Sequence, residues 1–166
     1  MRHDGEICIA CGVRASRGNC DVGRGDAFDS KGDYDRAIAD LDEAIRLDPN
    51  NVGFYTSRGH AYNDKGDYDR AIADLDRAIA INPELANPWS HRGVAYGHKG
   101  DLDRAMAEVD KALRLDGGYA RGYVNRAAIE LMRGDRDHAK ADYDTAIKLD
   151  PKIAADADVR KVKDAL

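Results

Sequence analysis

Apolar and charged positions follow one another in a pattern that returns every 34 residues along this chain. The twelve residues KGDYDRAIADLD begin at Lys31 and return unchanged at Lys65, and related versions begin at Lys99 and Arg133. A fixed period of this length is typical of stacked helical hairpins. Each hairpin buries its apolar face against its neighbours, because it cannot bury that face alone. The pattern therefore predicts an all-α fold, and it describes shape more than chemistry.

Glycines and capping residues divide each period into two predicted helices. In the second period, Asn51 is suited to cap a helix over about Val52–Asp64. Gly66 follows as the left-handed residue that ends such a helix, and Asp67 then caps the second helix. In the third period, the pair Asn87-Pro88 is predicted to supply the N-cap and the first helical residue.

The spacing of small and large residues resembles the tetratricopeptide repeat family. In the second period the family positions hold Tyr55, Gly59, Tyr62, Gly66, Tyr68, Ala71, Leu75, Ala78 and Pro83. The resemblance implies an α-solenoid of about four 34-residue helix-turn-helix units over residues 18–51, 52–85, 86–119 and 120–153. A capping helix is expected over 154–166, and residues 1–17 are expected to form a poorly ordered leader that contains cysteine. The close approach of paired helices is predicted at Gly59 and Ala71.

Composition narrows the classes of partner. The net charge is −5 and the pI is about 5.5, which argues against nucleic acid because phosphate binding needs a basic face. The sequence contains no stretch near the ~18 apolar residues of a membrane span. A cytoplasmic location is expected, with an exported mature form left open.

The resemblance implies that a partner binds in the concave groove lined by the first helix of each unit. The groove positions are Thr56, Ser57, His60, Asn63, Asn87, Ser90, His91, Val94, His98, Arg121, Val124, Asn125, Ala128 and Leu131, with Met132 at the apolar end. Arg121 and Asn125 are the predicted polar anchors. Some members of the family hold the carboxylate end of a chaperone tail with a clamp that includes lysines. Neither of the two possible alignments of that clamp with this sequence places a lysine at its positions. A chaperone tail is therefore disfavoured as the ligand.

Charged residues also recur once per repeat. Arg24, Arg58, Arg92 and Arg126 form a basic column, and Asp40, Asp74, Glu108 and Asp142 form an acidic column. We interpret the two columns as an ion-pair ladder within the stack, because the arginines precede the small helix-contact residues and should point partly inward. The alternative is a stripe that binds phosphate groups.

No phosphate-binding glycine loop, nucleophile elbow or metal-ligand helix occurs in the sequence. The predicted function is therefore a non-catalytic scaffold that binds a protein or peptide, with no cofactor and no metal. One alternative is an element that self-associates. Another is a metal or thiol sensor built on Cys8 and Cys11, with Cys20 and His3 nearby in sequence.

Overall fold

A computed structural model describes residues 33–166, and every regular element in that range is helical. The helices are α1 (Asp33–Leu47), α2 (Val52–Lys65), α3 (Tyr68–Ile81), α4 (Ala86–His98), α5 (Leu102–Leu115), α6 (Ala120–Arg133), α7 (Arg136–Leu149) and α8 (Ala157–Ala165), with a 3-10 helix at Pro151–Ala155 before α8. The predicted all-α class is confirmed. The predicted leader, its cysteines and Arg24 lie outside the described residues.

The chain divides into two compact units, one that ends at Ile81 and one that runs from Asn82 to Leu166. In the first unit, α2 packs against both α1 and α3. In the second unit, α4 pairs with α5 and α6 pairs with α7, while α6 also contacts α4, α5 and α8. Helix α6 is therefore the central element of the second unit.

Each Gly-Asp pair from Gly66 onward ends one helix and starts the next. Gly66, Gly100 and Gly134 have φ angles of 83°, 85° and 83°, a region that residues with a Cβ rarely occupy. The following aspartate amide donates to a carbonyl five residues back, for example from Asp67 to Tyr62 at 2.8 Å. The side chain of Asp67 then accepts from the amide of Arg70 at 3.2 Å. The predicted roles of Gly66 and Asp67 are confirmed.

The start of α4 differs from the prediction. The helix begins at Ala86 after Leu85, so Asn87 lies in the first turn and does not cap it. Pro88 is buried at the third helical position. The first-turn amides of a helix have no intrahelical acceptor, so proline there removes no hydrogen bond. The Asn-Pro pair therefore fits two residues further into the helix than expected.

Small residues allow the paired helices to approach closely. A Cβ built on Gly59 would lie 2.7 Å from Leu75 Cγ, and one on Gly93 would lie 2.7 Å from Val109 Cγ2 and 2.9 Å from the Ala105 carbonyl oxygen. Leu75, Val109 and Ala105 are fully buried. These contacts confirm the predicted close approach at Gly59. Among residues 33–166, no helix has the length and apolar character needed to cross a bilayer.

Candidate functional site

The predicted ion-pair ladder is present in both units. Arg58 donates to Asp74 at 2.6 and 2.7 Å, and Arg126 donates to Asp142 at 2.6 and 2.9 Å. Arg92 makes the corresponding bonds to Glu108 at 2.8 to 3.1 Å. Each arginine thus joins the first helix of a repeat to its second helix, sixteen residues later.

Two of these arginines also reach back to the preceding repeat. Arg58 donates to Asp42 at 2.5 Å and Arg126 donates to Asp110 at 2.8 Å. The hydrogen bond with Asp74 raises the pKa of Arg58, so the guanidinium stays charged. Each guanidinium is held by two carboxylates of the protein itself, which supports the structural interpretation over a phosphate-binding stripe.

An aromatic ring accompanies each ladder arginine in the described part of the chain, Arg58, Arg92 and Arg126. Arg92 lies 4.9 Å from the ring centre of Trp89, and Arg126 lies 5.5 Å from that of Tyr123. The Trp89 indole donates to the Pro83 carbonyl at 2.9 Å. Ring, guanidinium and carboxylates therefore form one recurring side-chain unit that ties a first helix to the turn before it.

The predicted groove positions differ in exposure according to their place in the repeat. Thr56, Ser90 and Val124 occupy the same repeat position and are 7%, 0% and 2% exposed. Thr56 donates its hydroxyl to the Val52 carbonyl at 2.8 Å. These three side chains lie in the interior and offer little surface to a partner, because this position faces packed atoms and not solvent.

The remaining groove positions are accessible to different degrees. Asn63 is also buried, with 9% of its surface exposed. The exposed positions are Ser57, Asn87 and His98, and the half-buried positions are His60, His91, Val94, Arg121, Asn125, Ala128 and Leu131. Met132 is 45% exposed. Within the second unit, the accessible groove surface is therefore carried by α4 and by the C-terminal half of α6.

The two predicted polar anchors already have partners within the second unit. Asn125 donates to the Ser90 hydroxyl at 2.9 Å, which joins α6 to α4. Arg121 forms an ion pair with Asp156, the N-cap of α8. Although burial opposes ionisation of both groups, the Arg121 guanidinium lowers the pKa of Asp156. The charge of Arg121 is evident from the sequence, whereas its pairing with Asp156 of a different helix is not.

The separation of these partners shows what α8 does. Ser90 and Asn125 are 35 residues apart, and so are Arg121 and Asp156. The link from α6 to α8 therefore spans the same number of residues as the link from α4 to α6. Helix α8 thus lies where the first helix of a further repeat would lie. Val159 and Val162 of α8 are buried in a cluster with Val124 and Ala127. Helix α8 therefore covers one side of α6 within the second unit.

We expect Asp156→Ala to loosen the attachment of α8. The substitution removes the ion pair with Arg121 and the N-cap bond to the Asp158 amide at 2.9 Å, and loss of an N-cap alone typically costs about 1 kcal/mol. Hydrogen exchange should increase at the amides of α8 and less in α4. The exposed aspartate Asp164 provides a matched control in the same helix. Unchanged protection of α8 would contradict its attachment through Asp156.

One residue that the sequence analysis overlooked breaks the repeat. Tyr62 and Tyr96 occupy one repeat position, and the fourth repeat has Glu130 there. Glu130 is only 8% exposed, and its Oε2 atom has no hydrogen-bond partner among residues 33–166. Burial, with a smaller contribution from Asp142, raises the pKa of Glu130 to about 7. Alignment of the four repeats at this position was the signal that could have identified it.

Comparisons with known proteins agree with this architecture. Profiles described as TPR repeat match residues 25–66 and 59–100, and profiles described as tetratricopeptide repeat match residues 86–119 and 120–153. The chain belongs to the tetratricopeptide repeat family. A search of curated proteins found no match to this chain.

Several solved tetratricopeptide structures are similar to this chain. The protein MamA is 26% identical, with 81% of this chain and 79% of that chain covered and a TM-score of 0.59. TTC0263, a thermophilic TPR protein in Thermus thermophilus, is 27% identical, with 81% and 73% covered and a TM-score of 0.67. The first TPR of Spaghetti (RPAP3), bound to the HSP90 peptide SRMEEVD, is 24% identical, with 69% and 94% covered and a TM-score of 0.58. The last likeness concerns the fold alone.

Proposed function

We propose that this tetratricopeptide repeat protein is a non-catalytic scaffold that binds a segment of a protein partner on the first-helix face of its second unit. The face consists of the accessible groove positions of α4 and α6. The observation that carries the proposal is the exposure of Asn87, His98 and Met132 on these helices. The facing surfaces of α4 and α5, in contrast, are filled by the contact of Gly93 with Val109 and Ala105.

The chemistry of this face suits an extended or helical segment. His91 and Asn87 on α4 provide hydrogen-bonding side chains, while Val94, Leu131 and Met132 provide apolar surface. Because apolar contacts contribute area and polar groups fix orientation, such a mixture is typical of peptide recognition. In this proposal, Arg121 and Asn125 hold α4, α6 and α8 together, and they contribute less to direct contact with the partner.

Site-specific photo-crosslinking tests the proposal. A photoreactive residue is placed at Asn87 or at His98 on the proposed face, and at the exposed Ala107 of α5 or Ala141 of α7 as matched controls. The full-length chain is irradiated in a lysate of its source cells. We expect one common heterologous adduct from both face positions, at least several-fold stronger than from the two control positions.

Each other outcome has a defined meaning. Adducts from Ala107 and Ala141 alone would place the interface on the second helices and overturn the groove assignment. Adducts at twice the mass of the chain, from the face positions alone, would favour the self-associating alternative. Circular dichroism of every labelled protein shows whether the helices are retained.

A further inference from the structure

The fourth repeat lacks a side-chain pair that the second and third repeats contain. Arg70 lies 4.5 Å from the ring centre of Tyr62, and Arg104 lies 5.0 Å from that of Tyr96. Both arginines also bond to the aspartate that caps their helix. In these repeats a guanidinium of the protein itself covers the end of the helix pair.

In the fourth repeat, Glu130 replaces the tyrosine and His138 replaces the arginine. Both replacements are shorter, so the ring and the guanidinium that fill the other repeats are missing. A cavity of about 460 Å³ lies here, lined by Met106, Glu130, Arg133, Asp135 and His138. The cavity therefore occupies the place that a basic side chain covers in the two preceding repeats.

Most charges around this cavity are already paired. His138 contacts Asp135 at 2.6 Å, and Arg133 donates to Asp103 at 2.9 Å. Within the part of the chain that the structure describes, the Oε2 atom of Glu130 has no hydrogen bond, although the residue is more than nine-tenths buried. A buried carboxylate oxygen without a donor is unfavourable. Glu130 thus brings to the wall of the cavity a carboxyl group with one oxygen that no donor of residues 33–166 satisfies.

We propose that this cavity binds an arginine side chain of a protein partner, with the guanidinium donating to Glu130. The incoming group takes the place that Arg70 and Arg104 occupy in the earlier repeats, and a planar guanidinium can donate two bonds to one carboxylate. The site differs from the first-helix face of the proposed function, since Met106 and His138 belong to the second helices α5 and α7.

Charged groups of both signs surround Glu130. Asp135 and Asp142 of α7 favour a cation, whereas Arg126 of α6 and a protonated His138 oppose it. Arg133, which also lines the cavity, is paired with Asp103. With a pKa of about 7, Glu130 is partly protonated near neutral pH. A guanidinium binds the ionised carboxylate, so affinity rises as pH increases through this pKa and falls below it. Deprotonation of His138 acts in the same direction, and a Glu130 variant separates the two contributions.

A titration of the isotope-labelled full chain tests the site by NMR. The probe is the blocked tripeptide acetyl-Gly-Arg-Gly-amide, and its citrulline counterpart is the neutral control of the same shape. We expect saturable shifts at the amides of Glu130, Asp135 and His138 with the arginine peptide alone. Affinity should fall about tenfold in Glu130→Gln, as the loss of a charge-assisted hydrogen bond implies.

A double variant and a pH series complete the test. Glu130→Tyr with His138→Arg rebuilds the pair of the earlier repeats and should abolish the shifts while it preserves the fold. Wild-type affinity should rise about tenfold between about pH 6 and about pH 8, and Glu130→Gln should lose most of this change. Equal binding of the citrulline peptide, unchanged affinity in Glu130→Gln, or no saturable shift at millimolar peptide would overturn the proposal. Photo-crosslinking on α4 tests the groove separately.

Discussion

Replacing Gly93 by leucine is expected to destabilise the second unit by about 3 kcal/mol or more, at or above the upper end of the usual range for overpacked cores. Even one added carbon at Gly93 would lie 2.9 Å from the Ala105 carbonyl oxygen and 2.7 Å from Val109. The backbone atom cannot move unless α4 and α5 separate. Separation would expose the fully buried Ala105 and Val109. Urea denaturation should show a lower midpoint.

The control for this substitution is Ala107→Leu, on the exposed side of α5. It adds a large side chain to the same helix pair without a close contact, and surface changes of this kind usually stay within about 0.5 kcal/mol. Gly59→Leu should behave like Gly93→Leu, because a side chain at Gly59 would also meet Leu75 and the Ala71 carbonyl at close range. Unchanged melting temperatures of both glycine variants would contradict the proposed helix packing.

Removing Asp142 from the ladder is expected to destabilise the second unit by about 3 kcal/mol. The carboxylate of Asp142 is 10% exposed and accepts two hydrogen bonds from Arg126. Asp142→Ala leaves a half-buried guanidinium with Asp110 as its remaining carboxylate partner. Breaking a buried pair typically costs about 3–5 kcal/mol, and the retained partner places this case at the lower end.

A double-mutant cycle distinguishes a lost pair from lost packing. Arg126→Leu combined with Asp142→Ala removes both charges, so most of the stability should return. The exposed pair of Lys140 and Asp144 provides the control, and Asp144→Ala should change the free energy of unfolding by less than about 1 kcal/mol. If the double variant is no more stable than Asp142→Ala, the unpaired charge of Arg126 is not the cause of the destabilisation.

Features that recur from repeat to repeat were predictable from the sequence. The position of Gly66 follows from local backbone chemistry, since a helix followed at once by another needs a left-handed residue between them. The pairing of Arg58 with Asp74 followed from two charges that recur together at a constant separation. Periodicity was informative in both cases, because each repeat is an independent observation of the same contact.

Features that depend on a departure from the repeat were harder to predict. The partner of Arg121 lies in α8, which has no counterpart earlier in the sequence. The burial of Ser90 and Val124 depends on how neighbouring first helices pack, and helical periodicity alone does not fix that angle. Glu130 was overlooked because it departs from the pattern, although such departures are where a repeat protein acquires individual chemistry.

The ladder and the 35-residue links have a consequence for how the chain folds. The bonds of Arg58, Arg126 and Asn125 connect residues that are 16 or 35 positions apart. Chains whose contacts are close in sequence close only short loops and so reach the native state quickly. Folding can therefore begin at any helix pair and spread to its neighbours. Within the second unit, α8 packs on α6 less extensively than α7 does, so it should be the first of these helices to fray on heating.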